Sequence, residues 1–249
     1  MSLTSNRGAG RTYFVADLHL TDERPVATGR FFRFLQEDVT GADALYILGD
    51  LFEAWVGDDD DERVARDAAR QLKALADAGT PVYFMHGNRD FMLAQRYAAQ
   101  SGMTLLADPA RIDLYGVPTL LMHGDTLCTD DTAYQTFRRR VRNPLTLALL
   151  RRLPFALRRR LARQARTGSE SAKAAKPAEI MDVNGDAVAR ALRAQQASRL
   201  IHGHTHRPAQ HIHAVDGHDC ERWVLPDWYA RWGYVVCDAS GCALKVADL

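Results

Sequence analysis

The chain has 249 residues, 47% of them apolar, with 32 Lys and Arg against 31 Asp and Glu. That length supports a sizeable core without disulfides, and the composition excludes a disordered, collagen-like or coiled-coil chain. No run of about 18 apolar residues is present to cross a membrane, and the opening residues do not read as a secretory leader.

Short apolar runs at 13–16, 44–48, 82–85, 120–122 and 200–201 predict buried strands, each running into a polar burst. Helices are predicted over 62–78, closed by Gly79, and over 90–100 and 185–197. Short strands at 211–215, 223–225, 233–237 and 243–246 predict hairpins on a second sheet. Strands alternating with helices give an α/β layered fold, in which functional residues gather at the carboxyl ends of the strands. Cys128, Cys220, Cys237 and Cys242 form no C-x-x-C pair and are expected to be reduced structural thiols.

One segment departs from this pattern. From Thr132 to Ser169 there is no Asp or Glu, and there are eleven arginines. Pro144 and Pro154 can each start a helix, and Leu150, Leu153, Leu157 and Leu161 share one helical face. The spacing predicts a pair of helices inserted over 135–178 as a cap on the crevice. The core is then 1–134 and 179–249. With the eleven arginines set aside, the net charge of +1 becomes −10 for the rest of the chain.

Five stretches offer oxygen and imidazole donors: Asp17-x-His19, Gly49-Asp50, Gly87-Asn88-Arg89-Asp90, His123-Gly124-Asp125 and Gly203-His204-Thr205-His206. This mixture suits a first-row divalent ion such as Mn²⁺, Fe²⁺ or Zn²⁺. One ion cannot use them all, whereas two ions about 3.5–4 Å apart can share a carboxylate. Asp50 is the natural bridge, because Gly49 lets the backbone turn closely there. Asp17, His19 and one C-terminal histidine would complete one site, and Asn88, His123 and the other histidine the second. His211, His213 and His218 are expected on surface strands.

The series D-x-H, G-D, G-N-x-D, H-G-D, G-H-x-H resembles the calcineurin-like binuclear metallophosphoesterases along nearly the whole chain. The resemblance implies a four-layer αββα sandwich of two mixed sheets with an inserted helical cap. It implies one metal on Asp17, His19, Asp50 and His206, and another on Asp50, Asn88, His123 and His204. The stretches HGDTLCTDD (123–131), IMDVN (180–184) and LIHGHTHRP (200–208), with GNRD (87–90), resemble one branch of that family. Its members cleave the pyrophosphate bond of a UDP-linked diacylated sugar in lipid A synthesis, usually with Mn²⁺, releasing UMP and the acylated sugar 1-phosphate. That likeness implies catalytic roles for Asp50, Asn88, Arg89 and His123. It implies substrate contacts at Asn88, Arg89, Asp131, Ser169, Lys173, Lys176 and His204. It also implies peripheral attachment at the cytoplasmic face of a bacterial inner membrane, with no nucleic acid and no obligate protein partner.

In the chemistry so implied, a hydroxide bridging two cations attacks the α phosphorus in line, and the protein supplies positioning and charge stabilisation. Arg89 departs from the wider family, where many members carry a histidine that can protonate an alkoxide leaving group. Arginine, with a pKa above about 12, donates no proton near neutrality. It instead favours a leaving group that needs none, such as the phosphate of a cleaved pyrophosphate, whose oxygens it can hold in bidentate fashion. The leucines of the insertion would line an acyl pocket or touch the bilayer, and its arginines would face anionic headgroups. The alternatives are another binuclear phosphoesterase acting on nucleotides or phosphoproteins, a metal-binding scaffold without catalysis, and a nuclease tracking nucleic acid along the basic insertion.

Overall fold

The computed structural model describes residues 10–174 and 182–249, the side chains of 168–174 excepted. Parallel strands covered on both faces read as unbroken apolar runs, and the first half of the chain is built from them. β1 (Thr12–Val15), β2 (Ala44–Leu48), β3 (Val82–Met85) and β4 (Met103–Leu106) lie parallel in one sheet. A second sheet uses β5 (Ala110–Leu114), β6 (Val117–Met122), β7 (Arg199–His202), β8 (Ala209–Val215) and β9 (His218–Val224) in the order β5-β6-β7-β9-β8. β10 (Arg231–Asp238) and β11 (Gly241–Asp248) return to the first sheet, whose order is β11-β10-β1-β2-β3-β4. The described helices are α1 (Pro25–Phe34), α2 (Arg63–Asp77), α3 (Gln95–Ser101), α4 (Thr132–Val141), α5 (Pro144–Arg152), α6 (Phe155–Ala174) and α7 (Gly185–Gln195).

Successive strand residues point to opposite faces, and this alternation builds the layers. Phe14 and Ala16 join Leu48, Met85, Leu121, Ile201 and Val235 between the sheets. Tyr13, Val15, Leu45 and Ile47 point the other way, into a cluster with Phe31 and Phe34 of α1 and Ala68 and Leu72 of α2. Behind the second sheet, Leu120, Met122 and Leu200 meet Val188 and Leu192 of α7. The result is the αββα sandwich of two mixed sheets that the sequence implied.

Several expectations are corrected. The helix expected over 90–100 begins only at Gln95. Asp90 is occupied in a loop, where its carboxylate accepts the Leu51 N–H at 2.7 Å and the Gly87 N–H at 2.8 Å. The α3 N-terminus is instead capped from a distance by Asp58, which accepts the Ala94 and Tyr97 N–H groups, both at 2.9 Å. The β10–β11 hairpin belongs to the first sheet rather than the second, because β10 pairs antiparallel with β1. Cys237 and Cys242 stand opposite each other in that hairpin and form a disulfide, against the expectation of four reduced thiols. Cys128 and Cys220 are buried free thiols.

The arginine-rich segment forms three helices, α4 to α6, rather than a pair. The Asp131 carboxylate accepts the Tyr134 N–H at the start of α4, and Asn143 caps α5, with Pro144 at its first turn. Pro154 disfavours the helical state of its predecessor, and Leu153 is extended at φ −71°, ψ 148°. That break divides the shared leucine face. Leu147 and Leu150 pack against the core, whereas Leu145, Leu149, Leu157 and Leu161 are exposed.

Candidate metal centre

Each donor stretch follows the carboxyl end of a strand. Asp17 and His19 follow β1, Asp50 follows β2, Asn88 follows β3, His123 follows β6, and His204 and His206 follow β7. Eight non-glycine residues have positive φ among the described ones, and five of them are Asp17, His19, Asp50, His204 and His206. Left-handed backbone costs most L-residues about 1–2 kcal/mol, though Asp and His tolerate it better than most. Five such residues converging on one place mark a site held in shape by its surroundings.

The Asp17 Oδ2 accepts the His204 N–H at 2.7 Å, and its Oδ1 lies 3.5 Å from His206 Nε2. Asp50 stands between His19 Nε2 at 3.9 Å and His123 Nε2 at 4.0 Å. Asn88 Oδ1 lies 3.1 Å from His123 Nε2 and 2.9 Å from His204 Nδ1. All seven ligands expected from the sequence therefore come together. Donor atoms of Asp17, His19 and His206 fall within 4.8 Å of one another, as do those of Asp17, Asp50 and His123, so Asp17 is common to both groups. The approach is so close that three glycines are obligatory, and a Cβ at Gly87 would run into the Asp50 carboxylate. A Cβ at Gly49 would lie 2.5 Å from His123 Nδ1, and one at Gly203 would lie 2.4 Å from Asp17 Oδ2.

The donor set fits a divalent cation. Asp17 Oδ1 and both ring nitrogens of His19 are buried without a hydrogen-bond partner among the described residues, a rare condition for buried polar atoms. Burial raises the Asp50 carboxyl to about 7, with the Asp90 and Asp17 charges adding to it against His123. Burial works to lower His123, but the Asp50, Asp125 and Asp17 carboxylates outweigh it and raise the imidazole to about 9. Burial opposes the charge of Asp17 too, yet the His206 ring beside it and the charges of His206, His123 and His19 hold it below the usual carboxylate range. A bound cation would take the place of protons among these buried carboxylates and imidazoles.

Around the donors lies a supporting layer, of which the sequence had assigned a role only to Arg89. Asp125 is fully buried and accepts from Tyr134 Oη and Arg138 Nε, both at 2.7 Å. Arg142 lies 3.5 Å from the same carboxylate and donates to the Gly87 carbonyl at 2.8 Å, so α4 is bonded to the loop that carries Asn88. Arg89 donates its own N–H to Asp50 Oδ1 at 2.8 Å, and its guanidinium donates to Glu53 at 3.0 Å. Arg166 of α6 reaches the same Glu53 at 3.0 Å, and the Tyr229 hydroxyl donates to it at 3.1 Å. The Tyr229 ring lies 4.9 Å from that of His19. Asp90 and Asp125 stood inside the G-N-R-D and H-G-D stretches and were legible there, whereas no spacing rule points to Glu53.

The arginine segment is corrected as well. Arg138 and Arg142 turn inward to Asp125, Arg158 bonds Asp59 and the Val56 carbonyl, Arg159 meets Glu62, and Arg166 meets Glu53. Among the described residues, Arg139, Arg140, Arg151, Arg152, Arg160 and Arg163 form no ion pair with an acid. Of the expected substrate contacts, Asn88, Arg89 and His204 stand at the centre and Asp131 caps α4. Ser169 and Lys173 lie on α6 with side chains outside the described residues, and Lys176 lies outside them altogether.

Residues 10–208 match the family model of the calcineurin-like phosphoesterases. The chain is 51% identical over 224 residues to a UDP-2,3-diacylglucosamine hydrolase of Klebsiella pneumoniae, covering 90% of this chain and 93% of that one. It is 50% identical over 228 residues to a UDP-2,3-diacylglucosamine hydrolase of Pseudomonas aeruginosa, covering 92% and 95%. Among solved structures, an archaeal phosphodiesterase aligns with a TM-score of 0.49 at 11% identity, covering 96% of this chain and 99% of that one.

Proposed function

This chain belongs to the calcineurin-like phosphoesterase family and is a hydrolase, and from that premise we propose that it cleaves the pyrophosphate bond of UDP-2,3-diacylglucosamine. The products are UMP and 2,3-diacylglucosamine 1-phosphate, a step of lipid A biosynthesis. The observation that carries this reading is Arg89, held beside Asp50 where a proton donor would serve an alkoxide leaving group. An arginine cannot protonate a leaving oxygen but can hold a phosphate one. The names of relatives about half identical to this chain support the same substrate.

Two Mn²⁺ ions suit the donor set. Asp17, His19, Asp50 and His206 would hold one, and Asp50, Asn88, His123 and His204 the other. Bound there, they would neutralise phosphate charge and lower the pKa of water. The protein's own groups do the rest. Asp90 and Asp125 fix the loops, Asn88 and His204 orient the phosphate, and Arg89 holds the oxygens of the departing one. Residues 135–178 act as a cap, with Asp131, Ser169, Lys173 and Lys176 contacting substrate. The exposed Leu145, Leu149, Leu157 and Leu161 meet acyl chains or the cytoplasmic face of the bacterial inner membrane. A nuclease reading is less supported, because five arginines that could track nucleic acid are bonded to acids and carbonyls of the core.

The test is incubation with UDP-2,3-diacylglucosamine and Mn²⁺. Release of UMP is expected, with slower turnover of the unacylated UDP-sugar. Absence of UMP from a folded, Mn²⁺-loaded protein would overturn the substrate, and equal rates on the two sugars would overturn the cap.

A further inference from the structure

A cavity of about 390 Å³ opens beside the metal centre, lined by Asp182, His206, Arg207, His211, Arg222 and Arg231. His206 belongs to both places, because its ring reaches Asp17 at 3.5 Å and also forms part of the cavity wall. The most telling member is Arg222 of β9, only 6% exposed. A buried guanidinium normally has a carboxylate partner, since an unpaired buried charge is costly. Arg222 instead bonds imidazoles among the described residues. Its Nε donates to His213 Nε2 at 2.9 Å, and its Nη1 lies 3.3 Å from His202 Nε2. The acid whose charge it feels most, Asp182, is taken by Arg207 at 2.6 Å. Nη2 of Arg222 makes no hydrogen bond among the described residues, and Arg222 lines the cavity, so its guanidinium has a donor to offer a ligand there.

Size and polarity narrow the ligand. The volume is near the lower end of the roughly 300–1,000 Å³ typical of small-molecule sites. Its walls carry three arginines, two histidines and an aspartate. A diacylated sugar fits neither the volume nor the walls. A pyrimidine nucleoside fits both, because its base presents carbonyl oxygens and its ribose presents hydroxyls to fixed donors. Cleavage at the phosphate nearer the nucleoside also requires the nucleoside to lie next to the metal centre while its phosphate is attacked.

We propose that this cavity takes the nucleoside half of the substrate, with Arg222 and Arg207 donating to the pyrimidine carbonyl oxygens while the attached phosphate lies at the metal centre. The proposal rests on the reading of the chain as a nucleotide pyrophosphatase. It adds a second specificity element, separate from the helical segment, that selects the nucleotide rather than the lipid.

The test compares UMP with ribose 5-phosphate, which lacks the base, by calorimetry on the Mn²⁺-loaded full chain. Wild type is expected to bind UMP at least about tenfold more tightly, since hydrogen bonds to a charged donor are worth about 10- to 100-fold in affinity. Arg222→Gln is expected to erase that advantage while leaving ribose 5-phosphate affinity within about twofold. Arg222 is buried, so Arg222→Lys and the exposed Arg207→Ala serve as further variants, with melting as the control for folding. Equal affinity of wild type for the two ligands would overturn the proposal. So would a UMP advantage that survives in folded Arg222→Lys and Arg207→Ala proteins. If wild type binds UMP through its base but does not hydrolyse UDP-2,3-diacylglucosamine, the substrate assignment falls and the nucleoside site stands. If it hydrolyses the lipid but shows no base-dependent affinity, the reverse holds.

Discussion

Arg89 and Glu53 are bonded across the rim of the metal centre, with Arg89 Nη1 donating to Glu53 Oε1 at 3.0 Å. The same carboxylate takes Arg166 from α6 and the Tyr229 hydroxyl. One acid thus holds the guanidinium proposed to face the leaving phosphate and ties the helical segment to the core.

Glu53 is accordingly a positioning residue. Glu53→Gln should lower kcat by about tenfold, with a smaller effect on KM, because a charge-assisted hydrogen bond is worth about 1.5–3 kcal/mol. In a double-mutant cycle with Arg89→Lys the losses should be strongly sub-additive. Fully additive losses would show that Glu53 acts elsewhere.

Arg89→His tests the argument from the leaving group. It restores a group able to donate a proton near neutral pH. Turnover of a phosphodiester with an alkyl leaving group should rise relative to wild type, while pyrophosphate cleavage falls by about tenfold or more. A parallel fall on both substrates would mean that Arg89 serves only to bind charge.

Cation affinity should depend on pH in a definite sense. Asp50 is raised to about 7 and His123 to about 9, so at neutral pH His123 holds a proton and Asp50 is about half protonated, and a cation must displace those protons. Mn²⁺ affinity should therefore climb as pH rises through 7, and binding at neutral pH should release protons, as measured by calorimetry in buffers of different ionisation heat. Asp50→Asn should weaken binding and reduce that release. A pH-independent affinity would contradict the assignment of these two residues.

Leu145 and Leu149 are 82% and 62% exposed on α5, an arrangement without benefit to the isolated fold. Changing both to Asp should leave the melting temperature within a few degrees. It should weaken sedimentation with anionic lipid vesicles by about a hundredfold or more, since each inserted leucine contributes on the order of 1.5–3 kcal/mol. Unaltered vesicle binding would remove α5 from the membrane contact.

Much of this molecule was legible in its sequence because the informative signals are local. The alternation of Tyr13, Phe14, Val15 and Ala16 gives both faces of a strand, and each ligand sits within a few residues of a strand end. What was not legible depends on partners remote in the chain. α3 starts late because Asp58 and Asp90, both anchored to other loops, set its approach. The sheet that receives β10 is decided by its pairing with β1. The arginine segment reads as outward-facing because it holds no acid of its own. Its counter-charges at Glu53, Asp59 and Glu62 lie far upstream, while Asp125 lies just before it. Part of the contrast between a basic insertion and an acidic remainder is therefore a clasp between the two. The rest of the acidity lies in the carboxylates proposed to hold cations.

In the proposed reaction, water attacks the phosphorus nearer the nucleoside of a lipid-linked UDP-sugar. The most direct measurement is hydrolysis of UDP-2,3-diacylglucosamine in ¹⁸O-labelled water with Mn²⁺, followed by mass spectrometry of both products. One labelled oxygen in UMP and none in 2,3-diacylglucosamine 1-phosphate is the predicted result. Label in the lipid phosphate, or no cleavage at all, would contradict it.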